Sequence, residues 1–257
     1  MNSIFPIAGL EAGVIAVLAV TALVAGLARG FSGFGAGLII MPVASSLIGP
    51  VLAAGVFAIA DFVLAMPLLP NAVRKCEWPT VLPAALAALI FVPLGALILV
   101  AVDPLTVRWN ICVITLLMLM LLMSGWRYQG RPHMSASIGV GAVAGVLSGA
   151  AQVPGPPIVT YWMSGPANPA TIRANLIVFF VFTSVGALSA YFVNGILSGH
   201  AWIVAAIVGP GYGVGIWAGA QLHAFAPERL FRGIVFGLIA LAAVSSVPAL
   251  DGLLRPD

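Results

Sequence analysis

The chain has 257 residues, of which 62% are hydrophobic and only 7% are charged. Its polar residues cannot cover a soluble globule of that size, so the composition predicts an all-α integral membrane protein that crosses the bilayer many times. The net charge of +3 comes from Lys and Arg residues scattered singly along short segments. That pattern orients a protein in a membrane, and it excludes a nucleic-acid-binding surface and a soluble catalytic domain.

Hydropathy predicts a similar series of apolar segments in each half of the chain. In the first half they lie near 12–29, 38–49, 52–70, 80–101 and 107–124, and in the second half near 135–150, 157–166, 173–193, 201–221 and 231–250. The second segment of each series is short and follows a glycine-rich stretch, which predicts a broken helix or a hairpin. We therefore expect eight to ten membrane segments, the first of them a retained helix because no Lys or Arg precedes it.

The two halves keep the same order of landmark residues, which favours an internal duplication. Gly26 recurs as Gly145 at a spacing of 119 residues. Later matches at a spacing of 124 residues pair Trp78 with Trp202, Gly95 with Gly219 and Arg108 with Arg232. We assign residues 1–127 to the first repeat and 128–257 to the second.

The distribution of basic residues favours an inverted relation between the repeats. An odd number of crossings per repeat turns the second repeat upside down, whereas an even number leaves the two parallel. With the N-terminus outside, the inner side holds Arg29, Arg74, Lys75, Arg127, Arg131, Arg173, Arg229 and Arg232, and the outer side holds Arg108 and Arg255. This excess of inner charge is typical of the cytoplasmic side, so we expect inverted repeats in the cytoplasmic membrane.

The first glycine-rich stretch is suited to binding a small oxyanion. Glycine lets the backbone approach a ligand closely, and successive N–H groups ahead of a helix attract an anion. The predicted binding residues here are Gly30, Ser32, Gly33, Gly35 and Gly37. An alternative for Gly26 and Gly30, and for Gly141 and Gly145 in the second half, is close packing between helices.

The second glycine-rich stretch has fewer backbone donors because it contains prolines, but it adds side-chain donors. The predicted binding residues here are Ser148, Gly149, Gln152 and Gly155. Two interrupted segments at matching places in two repeats indicate the substrate site of a transporter.

Three charged residues are further candidates. Arg29 lies beside the first stretch and Arg173 begins a later span, so either could bind an anion; the alternatives are a side chain reaching the lipid headgroups for Arg29 and a topological anchor for Arg173. Asp61 lies well inside an apolar segment, where it could carry a proton or make a structural hydrogen bond to a neighbouring helix.

The paired motifs resemble those of the sulfite exporter TauE/SafE family, also described as the sulfonate-uptake permease family. The residues that carry the resemblance are Gly26, Gly30, Gly33, Gly35, Gly37 and Pro42 in the first half, and Gly145, Gly149, Gly155, Pro156, Pro157 and Tyr161 in the second. Ala36 stands where the family usually has glycine, and Gln152 and Pro154 replace small residues of its pattern. The resemblance implies transport of sulfite, sulfonates or related organosulfur anions.

The predicted function is therefore secondary transport of a small organosulfur anion, with membrane lipid and the anion as partners. The chain has no nucleotide-binding Gly-x4-Gly-Lys-Ser/Thr motif and no Gly-x-Ser-x-Gly or His-Glu-x2-His motif, so we expect no ATP-driven transport and no enzyme activity. No cofactor or metal site is expected either. The alternatives are a subunit that only anchors or assembles a partner complex, and an intramembrane enzyme.

Overall fold

A computed structural model describes residues 10–126, 128–130, 132–163, 168–222 and 228–254. Its helices are α1 (Ala12–Ser32), α2 (Ala36–Ile48), α3 (Pro50–Ala65), α4 (Leu69–Lys75), α5 (Trp78–Ala101), α6 (Pro104–Met123), α7 (Met134–Ala151), α8 (Gly155–Trp162), α9 (Pro169–Val193), α10 (Gly199–Leu222), α11 (Glu228–Ser245) and α12 (Asp251–Leu254). Arg127, Arg131 and Arg255 lie outside the described residues, as does the side chain of Arg229.

Seven membrane spans can be recognised by length and composition within the described residues. They are α1, α5, α6, α7, α9, α10 and the continuous run of α3 and α4 from Pro50 to Lys75. Two shorter apolar helices, Ala36–Ile48 and Phe231–Ser245, accompany them. Large apolar side chains such as Ile90, Phe192 and Trp217 are exposed on the outside, as lipid contact requires. The predicted all-α, multi-pass membrane architecture is confirmed.

Local sequence explains where the helices begin and where they break. Asp103 caps α6 by accepting hydrogen bonds from the N–H groups of Leu105 and Thr106, each at 3.0 Å. Between α1 and α2, Gly33 and Gly35 take φ values of 82° and 93°, which glycine adopts without strain. The break between α7 and α8 falls at the matching place in the second half.

Glycines bring α1 very close to α10. A Cβ atom on Gly26 would overlap the carbonyl oxygen of Tyr212, and one on Gly30 would overlap that of Ile216. The contact is reciprocal, because a Cβ on Gly215 would overlap the carbonyl oxygen of Leu23. Residue numbers rise together on both sides, so the two helices run in the same direction where they touch.

The same arrangement joins α7 to α5. A Cβ on Gly141, Gly145 or Gly149 would overlap the carbonyl oxygen of Ala84, Ala88 or Val92, respectively. These two helices also run in the same direction. The packing interpretation therefore describes Gly26, Gly30, Gly141 and Gly145. Each of the two close helix pairs takes one helix from each half of the chain, and α9 also packs against α5 and α3.

Candidate anion site

The two helix breaks meet at a small cavity of about 30 Å³. Gly37, in the first turn of α2, lies against the carbonyl oxygen of Gln152, and Gly155, the first residue of α8, lies against Phe34. A side chain at position 37 would collide with the opposite break. Seven of the residues predicted to bind the anion or to carry a proton line this cavity: Arg29, Gly35, Gly37, Asp61, Ser148, Gln152 and Gly155.

An ion pair lies in the cavity wall. Arg29, in the last turn of α1, places its Nε 2.9 Å from Oδ1 of Asp61 in α3. The hydroxyl of Tyr212 in α10 donates to the same oxygen at 2.7 Å. The two charged side chains are only 11% and 8% exposed. Buried charges in a membrane protein usually pair with one another, as these two do, and here the pair also lines the cavity.

The guanidinium group of Arg29 keeps part of its donor capacity. Nε contacts Asp61, and within the described part of the chain no hydrogen bond involves its Nη1 or Nη2. Its Cζ lies 4.9 Å from the centre of the Phe180 ring, which favours the cation by a cation–π interaction. The two Nη groups, which hold four of the five N–H donors of the guanidinium group, are therefore available to an oxyanion in the cavity.

Gln152 faces the cavity from the second break. Its φ of 55° is the one positive value among non-glycine residues in the described ranges, and this left-handed conformation ends α7. The amide Nε2 donates to the hydroxyl of Tyr191 at 3.0 Å, and that hydroxyl donates to the carbonyl oxygen of Gly149 at 2.7 Å. This chain fixes the orientation of the amide and leaves its second N–H for another acceptor.

Five of the predicted binding residues do not line this cavity. Gly30 and Gly149 lie in helix contacts, and Gly33 ends α1 with its N–H on the Arg29 carbonyl. The Ser32 hydroxyl donates to the carbonyl oxygen of Ala28 at 2.7 Å, within its own helix. The Nη2 atom of Arg173 donates to the Gly30 carbonyl oxygen at 2.8 Å, which ties α9 to the end of α1.

Several residues of the site were not anticipated from the sequence. Tyr212 and Tyr191 hold its polar side chains, and Phe180, Thr183 and Ser184 of α9 line the cavity. A signal for Tyr212 exists, because a tyrosine flanked by Gly211 and Gly213 inside an apolar span must find a partner for its hydroxyl. No comparable signal marks α9.

The cavity combines one cation paired with one carboxylate, one amide and several hydroxyl groups with apolar walls. Its volume holds about two water molecules. The first N–H groups of α2 lack partners within their own helix, and the positive end of the helix dipole favours an anion there. Pro156 and Pro157 remove the equivalent donors from α8. The site is thus suited to a small anion held mainly by side chains.

Comparison with known proteins identifies the family. The family model described as Sulfite exporter TauE/SafE matches residues 18–246. The protein named "Probable sulfite/organosulfonate exporter TauE" of Cupriavidus necator is 28% identical over 234 residues, which are 86% of this chain and 89% of that relative. No solved structure matches the chain. Because the family match extends over nearly the whole membrane region, this protein belongs to the sulfite exporter TauE/SafE family of membrane transporters.

Proposed function

We propose that this protein exports sulfite or a related small organosulfur anion across the cytoplasmic membrane as a secondary transporter, and that the anion binds in the cavity between the two breaks. The observation that carries the proposal is the guanidinium group of Arg29 in the wall of that cavity. Gln152 and Ser148 add neutral donors from the opposite break. The printed name of the Cupriavidus necator relative supports the same substrate class.

We further propose that residues 1–127 and 128–257 are inverted repeats that change access to the cavity by moving against each other. Support comes from matching contacts between the repeats: α1 of the first packs on α10 of the second, and its predicted counterpart α7 packs on α5 of the first. The Arg173 side chain reaches from the start of α9 to the end of α1, which indicates that these two helices run in opposite directions. Paired repeats around a central site are the common design of secondary transporters.

Asp61 is the proposed proton carrier. It is buried, lines the cavity and lies beside the cation proposed to bind the anion. A carboxylate in this position changes the charge of the site when it takes up a proton. Asp61→Asn is expected to keep anion binding and to remove the dependence of transport on a pH gradient.

The proposed function is tested by flux of labelled anions in proteoliposomes that contain the purified protein. Sulfite is compared with sulfate, thiosulfate and methanesulfonate, and the wild type with Arg29→Gln. Arg74→Gln in α4 is a matched control, because Arg74 is exposed. Selective flux that is lost in Arg29→Gln and kept in Arg74→Gln is expected. Absence of flux for every anion, from protein that is folded, would refute the proposal and favour an anchoring subunit.

A further inference from the structure

The ion pair makes the site electrically neutral before any anion arrives. Arg29 from α1 and Tyr212 from α10 are the ionisable side chains that the described structure places against Asp61. The residues that α2, α7, α8 and α9 contribute to the cavity are glycine, serine, threonine, proline and apolar residues. Within the described ranges, none of these helices adds another charged side chain to the cavity lining.

The two carboxylate oxygens of Asp61 have different surroundings. Nε of Arg29 and the hydroxyl of Tyr212 both contact Oδ1. No hydrogen bond from a described residue reaches Oδ2. A proton can therefore be added to Oδ2 without displacing Tyr212, and the carboxyl group stays anchored by Oδ1 in both protonation states.

An anion and a proton must then favour each other in this cavity. An anion that enters alone meets a cation already neutralised by a carboxylate, so the site becomes net negative. A proton that enters alone neutralises the Asp61 carboxylate and leaves the Arg29 guanidinium without a counter-charge, so the site becomes net positive. Net charge inside the membrane is costly. The two neutral states are the empty ion pair and the form that holds both ligands, in which Arg29 pairs with the anion.

We propose that the protein carries one proton together with each monovalent anion, in the same direction, with Oδ2 of Asp61 as the proton site. This inference rests on the proposed function and adds the stoichiometry, the relative direction of anion and proton, and the atom; export then follows the outward gradient of the anion, because the proton leaves with it. Movement between the two sides of the membrane occurs only in the two neutral states. Transport of a monovalent anion is consequently electroneutral: the anion and its proton cross, and the Asp61 carboxylate returns empty.

Methanesulfonate is the probe that isolates the protein's proton, because a sulfonate stays a monoanion over the working pH range whereas sulfite takes up protons itself. Wild-type proteoliposomes alkaline inside by one pH unit are expected to hold about a tenfold concentration ratio of labelled methanesulfonate. A potassium diffusion potential with valinomycin is expected to leave that ratio unchanged. Accumulation that follows the potential and ignores the pH gradient would overturn the inference.

Asp61→Asn gives the second measurement. In this variant the anion-bound site is neutral and the empty site is net positive, so it is expected to exchange labelled anion without net flux and to lose the response to pH, whereas Asp103→Asn, a matched control at an exposed helix cap, keeps the wild-type response. If only sulfite is transported, the difference in sulfite flux between wild type and Asp61→Asn at each pH reports the proton carried by Asp61. Equal fluxes at every pH would overturn the inference. Exchange of labelled anion without any gradient tests transport separately: its absence refutes the proposed function, and its presence with uncoupled flux refutes only the coupling.

Discussion

Arg29 of α1 and Asp61 of α3 form an ion pair inside the membrane region, with Nε 2.9 Å from Oδ1 and Tyr212 donating to the same oxygen. Each charge makes the burial of the other tolerable. Removing one partner of a buried pair leaves an uncompensated charge, which typically costs more than the pair contributes.

This relationship predicts non-additive mutational effects. Arg29→Gln and Asp61→Asn are each expected to destabilise the protein by about 3–5 kcal/mol, because each leaves a buried charge without its partner. The double variant is expected to be more stable than either single one. Thermal unfolding of the purified proteins in detergent measures the three changes. Costs that simply add would show that the two side chains do not interact.

The contact between α7 and α5 predicts a sharp difference between two glycines of the same helix. Gly149→Ala is expected to lower the melting temperature, because its Cβ would overlap the Val92 carbonyl oxygen and force the helices apart. Gly139→Ala has no atom within 4 Å of the new Cβ and is the matched control. It is expected to raise stability by about 0.5–1 kcal/mol through the higher helix propensity of alanine. Equal effects of the two changes would contradict the packing interpretation.

The position of Arg173 predicts an effect on rate rather than on affinity. Arg173→Met removes its 2.8 Å hydrogen bond to the Gly30 carbonyl oxygen and is expected to destabilise the protein by about 1.5–3 kcal/mol. Because Arg173 does not line the cavity, the KM of anion transport is expected to stay close to that of the wild type while the maximal rate changes. A large rise in KM with an unchanged rate would show instead that Arg173 binds the anion.

The hydrogen-bond chain behind Gln152 predicts a loss of affinity from a residue that does not line the cavity. Tyr191→Phe leaves the Gln152 amide and the Gly149 carbonyl oxygen without their shared partner, at a cost of about 1–3 kcal/mol. The amide then loses its fixed orientation, and the KM for the anion is expected to rise. Tyr128→Phe, in the segment between α6 and α7, is the control and is expected to leave KM unchanged. An unchanged KM in Tyr191→Phe would remove Gln152 from the proposed site.

Outside the membrane spans, Asp103 predicts a pH dependence of stability. Hydrogen bonds from the side chain and N–H of Thr106, and from the N–H of Leu105, lower the pKa of this carboxyl below its ordinary value. A lowered folded-state pKa means that the carboxylate stabilises the protein above the unfolded-state pKa of about 3.9, and that this contribution is lost as the pH falls through the folded-state value. The difference in melting temperature between wild type and Asp103→Asn should shrink on acidification. A constant difference would contradict the assignment.

Much of the fold could be predicted because a membrane-spanning helix needs a long apolar segment, which is visible in the sequence itself. The apolar segments match the helices to within a few residues, and the density of glycine at Gly33 and Gly35 marks a real break with positive φ values. The hydropathy pattern misses the start of α6 by three residues because Pro104 and its cap at Asp103 are not apolar. Helix ends depend on capping, which hydropathy does not contain.

The candidate site was less predictable because local residue patterns do not show which distant segments come into contact. The sequence marks Arg29 and Asp61 as charged candidates with separate roles, and only their proximity reveals one unit. The cost of burying a charge in a membrane was a usable signal, since two opposite charges in neighbouring spans should pair. The role of Tyr191 depends on the backbone turn at Gln152, which no local pattern of residue types indicates.

The pairing of α1 with α10 has a consequence for how the chain assembles in the bilayer. α5 and α7 are near neighbours in sequence, so their glycine contact can form while synthesis is still under way. α1 is made early, but the groove that accepts Gly26 and Gly30 arrives only with α10, close to the end of translation. Helices in lipid associate by such close packing, so the glycine face of α1 stays without its partner helix until α10 has been synthesised. The contact between α1 and α10 is then one of the last to form. A chain truncated before α10 cannot form it and leaves the glycine face of α1 unpacked.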